Sequence, residues 1–157
     1  MANSGDRSLK FEFSGAYDHA LDPKGRLTLP AVFRRDINEK KRAKFSICLD
    51  KKCLVIHPRP VWLKFMEVLN SLQKNDPEAR EFKRTMLATA FDCEVDGQGR
   101  VLVPPSLRAL AGITRDVTLI GNGETVEVWD RARWEEYFRL GQEHLELNAR
   151  KLPLGGQ

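Results

Sequence analysis

Arg26 closes the segment Asp22-Pro23-Lys24-Gly25-Arg26, and Arg100 closes Asp96-Gly97-Gln98-Gly99-Arg100. Each guanidinium therefore stands four residues after an aspartate and directly after a glycine. A guanidinium so placed has two uses. It can fold back onto the aspartate, making the motif a self-contained turn in which Asp bonds the backbone ahead and Gly accepts positive φ. It can also project from a rigid β element, where its paired N–H donors suit a planar acceptor such as the O6/N7 edge of guanine. Lys24 adds a cation suited to phosphate or guanine, and Thr28 shares the strand face of Arg26. The candidate contact set is Lys24, Arg26, Thr28 and Arg100, with Asp22, Gly25, Asp96 and Gly99 forming the turns.

The two motifs are copies. Ala16 to Arg34 set against Ala90 to Arg108, 74 residues on, keeps seven of nineteen residues, and aromatic Tyr17 faces Phe91. A duplication of this size within 157 residues implies two half-size units sharing one core.

Other residue types offer less. Cys48, Cys53 and His57 invite a metal, but a closed zinc site wants four ligands and this set stops at three, so strand or hairpin positions are expected. The odd count of three cysteines argues for reduced thiols rather than a disulfide framework. His19, His57 and His144 lack motif partners, Gly121-Asn122-Gly123 lacks the dinucleotide spacing, and no phosphate loop is present. No enzyme, cofactor or metal is expected. The polar first ten residues do not resemble a signal peptide, and no apolar run approaches the roughly 20 residues of a membrane span, so a soluble cytoplasmic protein is expected.

Charge is unevenly placed. Residues 1–75 hold 15 Lys/Arg against 8 Asp/Glu, or +7, whereas residues 76–157 hold 11 against 14, or −3. A basic half suits a polyanion such as nucleic acid, although a solvated surface would read the same way.

The elements that must position the two turns follow from periodicity. A loose arm over residues 1–10 precedes strand-like Phe11 to Leu21, broken at Gly15, then the first turn, a strand over Arg26 to Leu29, and a short helix after Pro30. The basic run Lys40, Lys41, Arg42 and Lys44 reads as a solvated connection. A hairpin follows, with Phe45, Ile47 and Leu49 on one strand and Leu54 to His57 on the other. Pro58 to Leu72 has the spacing of an amphipathic helix, and Asp76-Pro77-Glu78 caps another running to about Thr89. The second copy repeats the plan: Ala90 to Val95, the second turn, Arg100 to Val103, and a short helix ending at Ala111-Gly112. A hairpin then runs from Val117 to Trp129, followed by a helix capped by Asp130 and carrying Trp134, Tyr137, Phe138 and Leu145. The hairpins are offset by 72 residues, two fewer than the turns. The expected division is an arm (1–12), a first repeat (13–75), a connecting helix (76–89), a second repeat (90–147) and a tail (148–157).

Gly15-Ala16-Tyr17, Leu21 to Pro30, Asp76-Pro77-Glu78-Ala79-Arg80, Asp96 to Pro105 and Trp129-Asp130-Arg131, in that order, resemble the MraZ family. These are bacterial regulators linked to the division and cell-wall gene cluster and related to the swapped-hairpin DNA binders of AbrB and MazE type. The resemblance spans about Phe13 to Phe138. It implies an α+β fold, a tandem swapped-hairpin, AbrB-like β-barrel with flanking helices. It also implies a transcriptional regulator that assembles as a homo-oligomeric ring on repeated double-stranded DNA sites upstream of its own operon, in the nucleoid. Carried over by position, Lys24 and Arg26 lie in the first DNA-facing motif and Arg100 in the second, where Gln98 replaces Lys24. A second reading stays open: a ring-forming or antitoxin-like module whose partner is protein, bound through the helices bearing Trp62 and Trp134.

Overall fold

The computed structural model describes residues 11–38 and 44–155; the expected loose arm and most of the basic run after Asn38 lie outside them. The first unit holds β1 (Ala16–Ala20), β2 (Arg26–Thr28), α1 (Ala31–Asn38), β3 (Lys44–Asp50), β4 (Cys53–Pro58) and α2 (Arg59–Ser71). Helix α3 (Pro77–Ala88) leads to β5 (Phe91–Glu94), β6 (Arg100–Leu102), α4 (Pro105–Leu110), β7 (Asp116–Asn122), β8 (Thr125–Asp130), α5 (Arg131–Glu143) and α6 (Leu145–Lys151). Local chemistry sets these bounds. Asp76 caps α3 by accepting the Glu78 N–H, and Asp130 caps α5 by accepting that of Arg133. The three-residue strands β2 and β6 run out near Pro30 and Pro104, which cannot donate to a ladder.

Pairing crosses between the units. The main sheet runs β1-β7-β8-β4-β3-β5, so the first strand of each unit lies against the hairpin of the other. The two hairpins meet at its centre, where Leu54, Val55 and Ile56 face Val128, Glu127 and Val126. A separate antiparallel ribbon joins β2 to β6.

Alternation divides the sheet into two faces. Phe45, Ile47, Leu54, Ile56, Val117, Leu119, Val126 and Val128 point to one side, where they join Leu27, Leu29, Val101 and Val103 around the ribbon and Phe33 and Leu107 from α1 and α4 in one core. Phe11 and Phe13 complete it, with Phe13 bridged to Gly123 beyond the Gly15 break. On the other side a smaller cluster of Cys53, Val55 and Trp129 sits under Trp134 of α5, while His57 lies against Trp62 and Phe65 of α2.

Two expectations need correction. The strands do not close a barrel: β1 and β5 remain the edges of an open six-stranded sheet, because the short β2 and β6 bond to each other rather than bridging those edges. The helix capped by Asp130 does not reach Leu145 unbroken, since His144 separates α5 from α6 shortly after Gly141, in a stretch with no buried residue to hold it straight.

Candidate nucleic-acid interface

Both turns have the same geometry. The Asp22 carboxylate accepts the backbone N–H of Lys24 at 2.9 Å and of Arg26 at 2.8 Å through Oδ1, and the Arg26 Nε–H at 2.5 Å through Oδ2. Asp96 does the same for Gln98 (2.9 Å), Arg100 (2.9 Å) and Arg100 Nε (2.8 Å). Gly25 and Gly99, at φ +81° and +78°, return their N–H to the carbonyls of Asp22 and Asp96. These bonds favour the charged carboxylates. The backbone N–H of Arg26 chiefly, then its side chain, holds Asp22 below its ordinary 3.8, and the N–H of Arg100 does the same for Asp96. The fold-back role of arginine is thus present in both copies, and it engages Nε, leaving the terminal nitrogens of the fork for another acceptor.

The ribbon sets the outward face. Leu27 and Val101 are opposite one another and fully buried, so their neighbours turn away from the core. Arg26 faces Leu102 and Thr28 faces Arg100, which puts Arg26 and Arg100 at opposite corners of one small outward surface. Lys24 is exposed on the first turn, as is Gln98 on the second. The structure therefore brings Arg26, Thr28 and Arg100 together, with Lys24 beside them. It also puts Leu102, 54% exposed, where the first copy has Thr28.

Backbone bonds tie each turn to the other unit. Leu29 N–H donates to the carbonyl of Gly99 at 3.0 Å, and Val103 N–H to that of Gly25 at 2.9 Å. A second pair of links lies on the sheet. Asp18 accepts the Thr118 hydroxyl at 2.8 Å and sits 3.7 Å from Arg131 Nε, while Asp92 accepts that of Ser46 at 3.2 Å and sits 3.6 Å from Arg59. Sequence reading missed these links, although their signal was present: Asp18 and Asp92 are among the seven repeat identities, and Ser46/Thr118 and Arg59/Arg131 recur at the hairpin offset of 72.

The thiols and His57 belong to the packing. Cys48 Sγ lies 4.0 Å from His57 Nδ1 with both side chains buried, and burial pushes the Cys48 and Cys93 thiols up to about 12 and Cys53 higher still. Among the described residues no group of three or more His, Cys, Asp or Glu is placed to hold a metal ion.

A family model described as "MraZ protein, putative antitoxin-like" matches residues 13–85 and again 86–151. A protein of Nitrosospira multiformis named "Transcriptional regulator MraZ" is 42% identical over 123 residues, covering 78% of this chain and 84% of that protein. One of Heliobacterium modesticaldum with the same name is 41% identical over 140 residues, covering 89% and 96%. The chain belongs to the MraZ family. The two MraZ matches meet inside α3. No helix among the described residues is long and apolar enough to cross a membrane.

Proposed function

We propose that the chain is a sequence-specific DNA-binding transcriptional regulator, and not an enzyme, that acts on its own operon in the division and cell-wall cluster. The observation that carries this reading is the β2–β6 ribbon, which presents Arg26, Thr28 and Arg100 on one outward face with Lys24 at its edge. A two-stranded ribbon fits the major groove of B-DNA, where arginine pairs with guanine and lysine with phosphate. The name shared by the relatives supports it. The exchanged first strands support an AbrB/MazE-type swapped-hairpin origin. Several copies assembled as a ring would engage repeated promoter sites together, so that a weak single contact gains avidity. Such a regulator works in the cytoplasm, at the nucleoid.

The test is binding to a duplex of the region upstream of the chain's own coding sequence, across salt concentrations. Lys24→Ala removes a phosphate contact and lowers the salt slope by about 0.9. Arg26→Ala costs about 1–3 kcal/mol and relaxes sequence preference. Folded variants with unchanged affinity and slope would sink the reading.

One observation favours a protein-binding role beside it. On α5 and α6, Tyr137, Phe138, Leu145 and Leu147 are each at least half exposed. A pulldown whose partners survive Arg26→Ala but are lost with Phe138→Glu would favour that second role.

A further inference from the structure

We propose that Arg34 and Arg108 are phosphate-binding residues of the two turns, each serving the turn of the opposite repeat. This rests on the DNA-binding reading of the ribbon and adds two residues that periodicity had assigned only to short helices.

Arg108, on α4, lies over Gly25. A Cβ built on Gly25 would stand 2.9 Å from the Arg108 Cζ, and one on Gly99 would stand 2.9 Å from that of Arg34, on α1. The guanidinium planes thus occupy the space the two glycines leave empty. The cause is the crossed backbone pairing. With Leu29 bonded to Gly99 and Val103 to Gly25, each helix that follows begins beside the other unit's turn. Arg34 and Arg108 donate their own N–H to the carbonyls of Pro30 and Pro104, one helical turn in, and their side chains reach across.

Among the described residues their charge has no ion-pair partner. Arg26 and Arg100 are held by Asp22 and Asp96, and Arg139 by Glu136 and Glu143. Among the described residues neither Arg34 nor Arg108 forms an ion pair, and the Nε of each is buried without a hydrogen-bond partner. Both side chains are half-buried, so their outer ends reach solvent beside the turns. A guanidinium stays charged at any working pH and is less strongly hydrated than an ammonium, which suits it to a phosphate approaching from outside. With these residues counted, the first turn gathers Lys24, Arg26 and Arg108 around the single carboxylate of Asp22. The second gathers Arg100 and Arg34 around Asp96. The second turn, which has Gln98 in place of lysine, thereby keeps an uncompensated cation.

The two roles open to these arginines, cover for a glycine and contact for a phosphate, separate by substitution. Arg34→Met and Arg108→Met keep an apolar stem over the glycine and remove the charge; Arg34→Lys and Arg108→Lys keep the charge and remove the fork. The full-length chain is titrated with a duplex of the region upstream of its own coding sequence from low to high salt, and its folding is followed by thermal unfolding. Each methionine variant is expected to fold, to bind about tenfold more weakly at low salt, and to lose about 0.9 from the slope of log K against log salt. Each lysine variant is expected to keep the slope and bind several-fold more weakly. Methionine variants with wild-type affinity and slope, alongside Lys24→Ala and Arg26→Ala variants that lose binding, would overturn this inference alone. If all four bind as wild type, the DNA reading itself fails. Should the methionine variants not fold, the lysine variants decide: wild-type affinity in both overturns the fork contact, and weakened binding with the slope retained supports it.

Discussion

Asp18 and Arg131 lie 3.7 Å apart across the boundary between the repeats, and Asp92 and Arg59 reproduce the pair at 3.6 Å from the other side. Each aspartate also accepts a hydroxyl, from Thr118 and Ser46 respectively, on the hairpin it pairs with. The pairs therefore mark how the units exchange their first strands.

The two links differ in worth. Both aspartate side chains are exposed, Asp18 at 64% and Asp92 at 72%. Arg131, however, is 31% exposed and also donates to the carbonyl of His19 at 2.8 Å, whereas Arg59 is 46% exposed. Exposed pairs contribute little after solvent screening. Asp18→Ala strands the buried Thr118 hydroxyl and is expected to cost about 1–2 kcal/mol in urea unfolding. Asp92→Ala strands the equally buried Ser46 hydroxyl, whose bond at 3.2 Å is longer than the 2.8 Å of Thr118, and is expected to cost about 1 kcal/mol.

Gly25→Ala and Gly99→Ala each place a Cβ at positive φ and against an arginine of the other unit. Each is expected to destabilise by about 1–3 kcal/mol. Gly97→Ala, in the same second turn but with open space around it, is expected to stay within about 0.5 kcal/mol. Chemical denaturation of the three variants checks the contrast.

Acid stability follows from His57. Burial, chiefly, holds its pKa below the ordinary 6.5. As pH falls below about 6.5 the unfolded chain takes up the proton first, so stability drops from there until the folded-state pKa is reached. The slope is at most about 1.4 kcal/mol per pH unit. Urea unfolding between pH 7.5 and 5 is expected to show a shallower loss for His57→Phe than for wild type.

The three thiols are expected to resist alkylation in the native state. With Cys48 and Cys93 raised to about 12, only about one molecule in ten thousand carries the thiolate at pH 8. Iodoacetamide treatment read by mass spectrometry is expected to label none of the three quickly until denaturant is added.

The sequence alone determined what is local or repeated. The Asp-x-x-Gly-Arg turns, the proline-bounded strands, the Asp76 and Asp130 caps and the duplication itself rest on residues that act within a few positions of one another, so spacing reveals them. It also placed Arg26 and Thr28 on one strand face by simple alternation. What it could not supply is the partner of each segment. Short strands of three to five residues carry too little pattern to state which hairpin they join. Nor does alternation disclose an open sheet, for that depends on β2 choosing β6. Only the tertiary structure crossed the two units, bringing Arg108 over Gly25 and Arg34 over Gly99. Those contacts span more than 60 residues of chain, and they arise because backbone bonds from Leu29 and Val103 anchor each helix start to the opposite turn.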